Sequence, residues 1–226
     1  MVLGVAQIRE LLEDRSRDTS ERLVVTPVLD PESQLKAGNA SIDIRLGQHF
    51  QVPLRTKLSG LEYLKETYKR DIEEYKDETF VPIGHYFVLH PRQFVLGESL
   101  EWVHLPSNIM ASVVGRSRWG RDGLVIATAT GVHPSFSGVL TLEISNIGEI
   151  PIYLYPGLAI AQLFLSLVDK GSSKSPPVPS IFQGQHEARS VTAELPDKAI
   201  IEFFRRQFDP WSELAGPAGS GSLPHG

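Results

Sequence analysis

Cysteine is absent from this 226-residue chain, which removes disulfides, iron–sulfur clusters, thiolate zinc sites and cysteine nucleophiles. No apolar run reaches the roughly 18 residues of a membrane span. The N-terminal MVLGVAQIRELLEDRSRD mixes acids and bases too early for a secretory signal, so a cytoplasmic protein without a membrane partner is expected. Excess positive charge is also lacking. A formal charge of −5 argues against general nucleic-acid affinity, which needs a basic surface to displace condensed counterions, yet a local basic pocket stays possible. The phosphate- and ester-handling motifs G-x-x-x-x-G-K-[ST], G-x-S-x-G and G-x-G-x-x-G do not occur. His49, His85, His90 and His104 form no H-x-x-x-H or H-x-H pair, so no tightly held protein-ligated transition metal is expected.

What is present describes a globular, mainly β chain. Hydrophobic residues make up 41% of it, enough for a buried core. Val5, Ile8, Leu11 and Leu12 recur at helical spacing, predicting a short amphipathic helix over residues 4–14. Residues 40–52, ASIDIRLGQHFQV, alternate as a half-buried strand broken by a turn at Gly47. The run LEYLKETYKRDIEEYKDET, 61–79, has apolar residues at three- and four-residue steps among dense charges and reads as a solvated helix or an insertion. From Phe80 to Asp169 short β-branched and aromatic runs alternate with turn signals, the pattern of an antiparallel sandwich or barrel. The polar KGSSKSPPVPS after Asp169 reads as a connector, SIFQGQHEARS as an ordered flap, AIIEFFRRQF (199–208) as a helix and GPAGSGSLPHG as a disordered tail.

Three places could carry chemistry. Gly115-Arg116-Ser117-Arg118-Trp119-Gly120-Arg121 gathers three guanidinium groups, a hydroxyl and two glycines. Arg forks suit phosphate oxygens and glycines let backbone N–H groups approach an anion. A solvated basic turn with Trp119 as a packing residue explains the same residues. Glu143 lies in a strand where Leu140, Leu142 and Ile144 face one side and Thr141, Glu143 and Ser145 the other. If the second face lines a pocket, this carboxylate moves protons; otherwise it is a solvent-facing strand residue. His133, in a turn before Pro134, is open to a structural or a functional role. Asp43 reads most simply as a polar strand residue paired with Arg45 or a neighbouring turn.

Taken in order, ASIDIRLGQHF, GRSRWGR followed by DGL, HPSFSGVLTLEISN, YPGLAIAQLFL and FQGQ resemble the dCTP deaminase family, part of the fold group that includes trimeric dUTPases. The resemblance runs from about residue 1 to 190. It implies a distorted β-barrel or jelly-roll of the dUTPase-like type with a few short helices, over 1–195 with an insertion at about 56–79, followed by a C-terminal helix and flexible tail at 196–226. It implies a homotrimer with active sites shared between subunits, a deoxynucleoside triphosphate as substrate, and deamination of dCTP to dUTP and ammonia without zinc. Magnesium would enter with the triphosphate, with no protein metal site. Glu143 occupies the position of the proton-shuttling glutamate, joined by Arg121 and Ser117 as catalytic candidates. Arg116, Ser117 and Arg121 fall in the triphosphate and catalytic-pocket motif. Ala127, Thr128, Ala129 and Thr130 would contact the base edge, and Gln162 and Gln185 the sugar or phosphates.

The chain departs from that pattern at two points. Arg118 stands where many relatives have serine, and Val132-His133-Pro134-Ser135-Phe136 replaces a turn that reads roughly I-D-P-G-[WF]. His133 thus takes the place of the aspartate on the deoxyribose side of the pocket. Besides deamination, two other activities fit these residues: a diphosphohydrolase or bifunctional enzyme releasing pyrophosphate, and a non-catalytic nucleotide-binding regulatory protein.

Overall fold

The computed structural model describes residues 1–54, 60, 75–128 and 130–169. Apart from Gly60, these belong to one compact unit formed by 1–55 and 75–190. Helix α1 (Val5–Glu13) opens it, buries Val5 and Ile8, and starts at Gly4, whose N–H donates to Gln7 Oε1 at 3.1 Å. Strand β1 (Val24–Thr26) and the single turn α2 (Pro31–Gln34) follow, the latter capped by Asp30 accepting from the Ser33 N–H. The alternating run 40–52 becomes β2 (Ser41–Arg45) and β3 (His49–Pro53). Gly47 separates them for a steric reason: a Cβ there would stand 2.5 Å from Glu98 Cγ.

The charged run 61–79 reads as a solvated helix or an insertion, and its end is not helical. Its last residues enter strand β4 (Lys76–Phe80), which pairs antiparallel with β3 from His49–Phe80 to Pro53–Lys76. The apolar three- and four-residue spacing ends at Tyr75, so it does not oppose ladder pairing from Lys76 onward. Residues 61–74 lie outside the described residues, as do the connector, flap, C-terminal helix and tail expected from 170 onward.

Strands β5 (Phe87–Leu89), β6 (Phe94–His104), β7 (Ile109–Gly115), β8 (Leu124–Ile126), β9 (Gly131–Val132), β10 (Ser137–Asn146), β11 (Ile152–Leu154) and β12 (Ala159–Leu167) complete the described strands. The one-turn helix α3 (Ser117–Arg121) lies between β7 and β8. A six-stranded sheet runs β4-β3-β6-β10-β8 with β1 also on β6; a four-stranded sheet runs β2-β12-β7-β9; β5 pairs with β11. Every strand pairing among the described residues is antiparallel, as the short, regularly spaced strands predicted.

Both larger sheets turn apolar faces into one core. Ile42, Ile44, Ala111, Val113, Leu163 and Leu165 come from the four-stranded sheet and Val95, Val103, Leu140, Leu142 and Ile144 from the six-stranded one. The pleat therefore sends Asp43, Val114 and Gln162 outward from one sheet and Thr141, Glu143 and Ser145 outward from the other. Asn146, fully buried, ties down the end of β10. Its Nδ2 donates to Leu89 O (3.0 Å) and Ile150 O (2.9 Å), and its Oδ1 accepts from Gly148 N at 2.9 Å.

Candidate active site

The arginine-rich segment begins where β7 ends. Arg116 N donates to Ile160 O at 2.9 Å, and Trp119 N donates back to Arg116 O at 3.0 Å, closing α3. Trp119 is a packing residue: it is half-buried against the core, and its Nε1 donates to Ala159 O at 2.8 Å. That anchor pins the turn to β12 and leaves Ser117, Arg118 and Arg121 exposed. Arg118 Cζ lies 5.3 Å from the centre of the Trp119 ring, within cation–π range. Neither Arg118 nor Arg121 has a carboxylate partner among the described residues.

Arg116 behaves differently from its two neighbours. Its Nη1 donates to Asp43 Oδ2 at 2.8 Å, and the other oxygen, Asp43 Oδ1, accepts from Gln162 Nε2 at 3.2 Å. The register explains the meeting: Gln162 on β12 stands directly opposite Asp43 on β2 and Val114 on β7, and Arg116 lies two residues beyond Val114 on the same outward face. Two sequence candidates, Arg116 and Gln162, are thus brought together through a third residue. Of the two partners its sequence position suggested, Arg45 or a turn, Asp43 does not take Arg45. Arg45 instead places Nη1 3.6 Å from Glu101 Oε1.

Glu143 is held by its backbone. Its N–H donates to Thr128 Oγ1 at 2.8 Å and its carbonyl accepts from Ala127 N at 2.8 Å, while Ile144 beside it pairs with Ile126. From β8 the chain crosses to the other sheet, where Thr130 O accepts from Val113 N at 3.0 Å. Ala129, between them, and Gln185 lie outside the described residues. No hydrogen bond or ion pair joins Glu143 to Arg116, Arg118 or Arg121 among the described residues. The carboxylate and the Arg116 cluster occupy outward faces of two different sheets that share one core.

His133 is exposed and begins a tight turn in which Phe136 N donates to His133 O at 3.2 Å. Ser135, at the third position, has φ 64°, a left-handed conformation that favours glycine. Phe136 is buried, so this turn plants an aromatic anchor just before β10.

The chain matches the dCTP deaminase-like family model over residues 2–168. It belongs to the dCTP deaminase-like family. Among relatives of this dCTP deaminase-like chain, the dCTP deaminase of Natronomonas pharaonis is 41% identical over 164 residues, 72% of this chain and 78% of that protein. The dUMP-forming dCTP deaminase of Dictyoglomus turgidum is 39% identical over 164 residues, again 72% of this chain and 78% of that protein. The crystal structure of 2'-deoxycytidine 5'-triphosphate deaminase from Agrobacterium tumefaciens shares the fold, with a TM-score of 0.54 at 20% identity. That match covers 74% of this chain and 48%, about half, of the other.

One buried cluster beside the site escaped sequence reasoning. Glu101 is fully buried on β6; its Oε1 accepts from Gln34 Nε2 and its Oε2 from Arg45 N, both at 2.9 Å. Burial pushes its carboxyl above the usual glutamate value, against the pull of the Arg45 N–H and guanidinium. Gln34 Nε2 also donates to Asp43 O at 3.2 Å, so this cluster fixes the backbone from which Asp43 projects. A signal was available: Glu101 is in phase with the core residues Val103 and Leu105. Among the described residues no helix is long and apolar enough to cross a membrane.

Proposed function

We propose that this chain hydrolytically deaminates dCTP to dUTP and ammonia without zinc. The observation that carries the reading is the family match over 2–168, which contains Glu143, Arg116, Ser117, Arg121 and Gln162. In this reading water adds to C4 of the cytosine ring as it gives one proton to Glu143. The C4–N4 bond then breaks as the amino group takes that proton and leaves as ammonia. The remaining hydroxyl proton passes to N3, giving a uracil carbonyl. One carboxylate acts as base and then as acid.

Ser117, Arg118 and Arg121, exposed on α3, together with the unshared N–H groups of Arg116, supply the donors for the triphosphate. Ala127 to Thr130 would line the base edge, and His133, at the head of its turn, the sugar side. Among the described residues no cluster of three or more His, Asp or Glu is suited to hold a metal. Magnesium, in this reading, would enter with the triphosphate and supply charge neutralisation at the phosphate oxygens to which Arg116, Ser117 and Arg121 donate. The placement of Glu143 and Arg116 on outward faces of two sheets supports a site completed by a second copy, and the family resemblance implies that the assembly is a homotrimer. Sedimentation of the full chain at three times the monomer mass is the expected result; a monomer active at all concentrations would overturn the shared site.

A second reading has specific support, because relatives named dUMP-forming stand at 39% and 38% identity. It adds release of pyrophosphate to deamination. Incubating the chain with dCTP and Mg²⁺ and chromatographing the products separates the two. Ammonia and dUTP support the first, ammonia with dUMP and pyrophosphate the second, and unchanged dCTP overturns both.

A further inference from the structure

Asp43 is the residue whose contacts exceed the role a strand-surface carboxylate needs. Both of its oxygens are used, one by Arg116 Nη1 and one by Gln162 Nε2. Its carbonyl is anchored by Gln34 Nε2, and Gln34 is itself buried and locked onto Glu101. The carboxylate is therefore presented from a fixed backbone, with its own side chain only 14% exposed, to a guanidinium 37% exposed. A guanidinium has five N–H donors in a rigid plane, so one spent on Asp43 orients the remaining four. An arginine held this way has already lost the rotamer freedom that binding would otherwise remove.

We infer that Asp43 is a positioning residue that clamps Arg116 and Gln162 in the orientation needed to take phosphate oxygens. The inference rests on the proposed nucleotide site and adds to it a carboxylate that does not itself touch the substrate. Its signature is counterintuitive in charge. A negative group beside an anion site opposes binding by simple electrostatics, so neutralising it should tighten the anion. A clamp predicts the reverse.

The test is calorimetric titration of the full chain with inorganic tripolyphosphate, alongside steady-state deamination of dCTP. Asp43→Asn should weaken tripolyphosphate about tenfold, the loss expected when one charge-assisted hydrogen bond no longer orders its donor. KM for dCTP should rise by a similar factor with kcat little changed, a split that a general loss of folding does not produce. Gln162→Ala, which removes one arm without altering charge, should shift binding in the same direction and by less. In an Arg116→Ala background, Asp43→Asn should add no more than the Gln162→Ala loss, because only the Gln162 arm of the clamp then remains. Unchanged or tighter tripolyphosphate binding in Asp43→Asn, or a full extra loss in the double variant, overturns the clamp. If Asp43→Asn does not fold, Asp43→Glu, which keeps the charge but displaces the carboxylate from Arg116, is titrated instead, with weaker tripolyphosphate binding expected and unchanged or tighter binding overturning the clamp. Wild-type chain that binds tripolyphosphate but leaves dCTP intact sinks the deaminase reading while the clamp is still read out. No binding of tripolyphosphate by wild type sinks the clamp.

Discussion

The Thr128 hydroxyl accepts the Glu143 N–H at 2.8 Å, tying the segment after β8 to the middle of β10. The strand β8 stops pairing at Ile126, so a side chain takes over the ladder's hydrogen bond at the residue where the chemistry is proposed. Thr128→Ala removes that acceptor and should cost about 1 kcal/mol of stability. Turnover should fall more than dCTP binding, and Thr128→Ser should recover both. Equal activity in all three chains would show that the bond does not position Glu143.

Glu143→Gln keeps the size of the side chain and loses its ability to exchange a proton. Binding of dCTP should persist while turnover falls by at least about a hundredfold. Single-turnover product analysis with calorimetric binding checks the pair. Wild-type turnover would remove Glu143 from the mechanism.

Arg121, exposed and without a carboxylate partner among the described residues, offers its whole guanidinium to a ligand, whereas Arg116 shares its own with Asp43. Arg121→Ala should weaken dCTP more than deoxycytidine, since only the nucleotide carries phosphates. Equal losses for both ligands would place its contact elsewhere.

Ser135 holds φ 64° in the turn that delivers Phe136 to the core. A side chain in that region costs about 1–2 kcal/mol, partly offset by the greater unfolded-state freedom of glycine. Ser135→Gly should therefore stabilise the chain by about 0.5–1 kcal/mol, seen as a higher urea midpoint at unchanged slope. A lower midpoint would mean that the serine hydroxyl compensates the backbone.

Glu101 makes stability depend on pH in a direction opposite to the usual carboxylate. Its folded-state value is raised above the ordinary 4.5 by burial, so the folded chain takes up its proton before the unfolded chain does. Its contribution to stability grows as pH falls from that raised value towards 4.5 and is constant below. The stability of wild type relative to Glu101→Gln should rise across that window in urea titrations. A relative fall would show that Arg45 and Gln34 stabilise the anion more than burial penalises it.

Much of this protein is local information, and that part was legible. Alternation within residues 40–52 and 138–146 predicted strands and put Leu142 and Ile144 on the face opposite Glu143, because side chains alternate faces in any extended chain; Ile42, Ile44, Leu142 and Ile144 are all buried. Four apolar residues at helical spacing predicted α1, and the ordered motifs predicted the family. Other features depended on contacts between distant segments. Asp43 and Arg116 are 73 residues apart and Asp43 and Gln162 are 119 apart, so no spacing rule could choose Arg116 over the neighbouring Arg45. Pairing with β3 made a strand of Lys76–Phe80, at the end of a charged run whose helical spacing stops at Tyr75. Residue order determined which side chains face inward; only strand register across the two sheets decided which outward side chains meet, because register is set by the packing of the whole core.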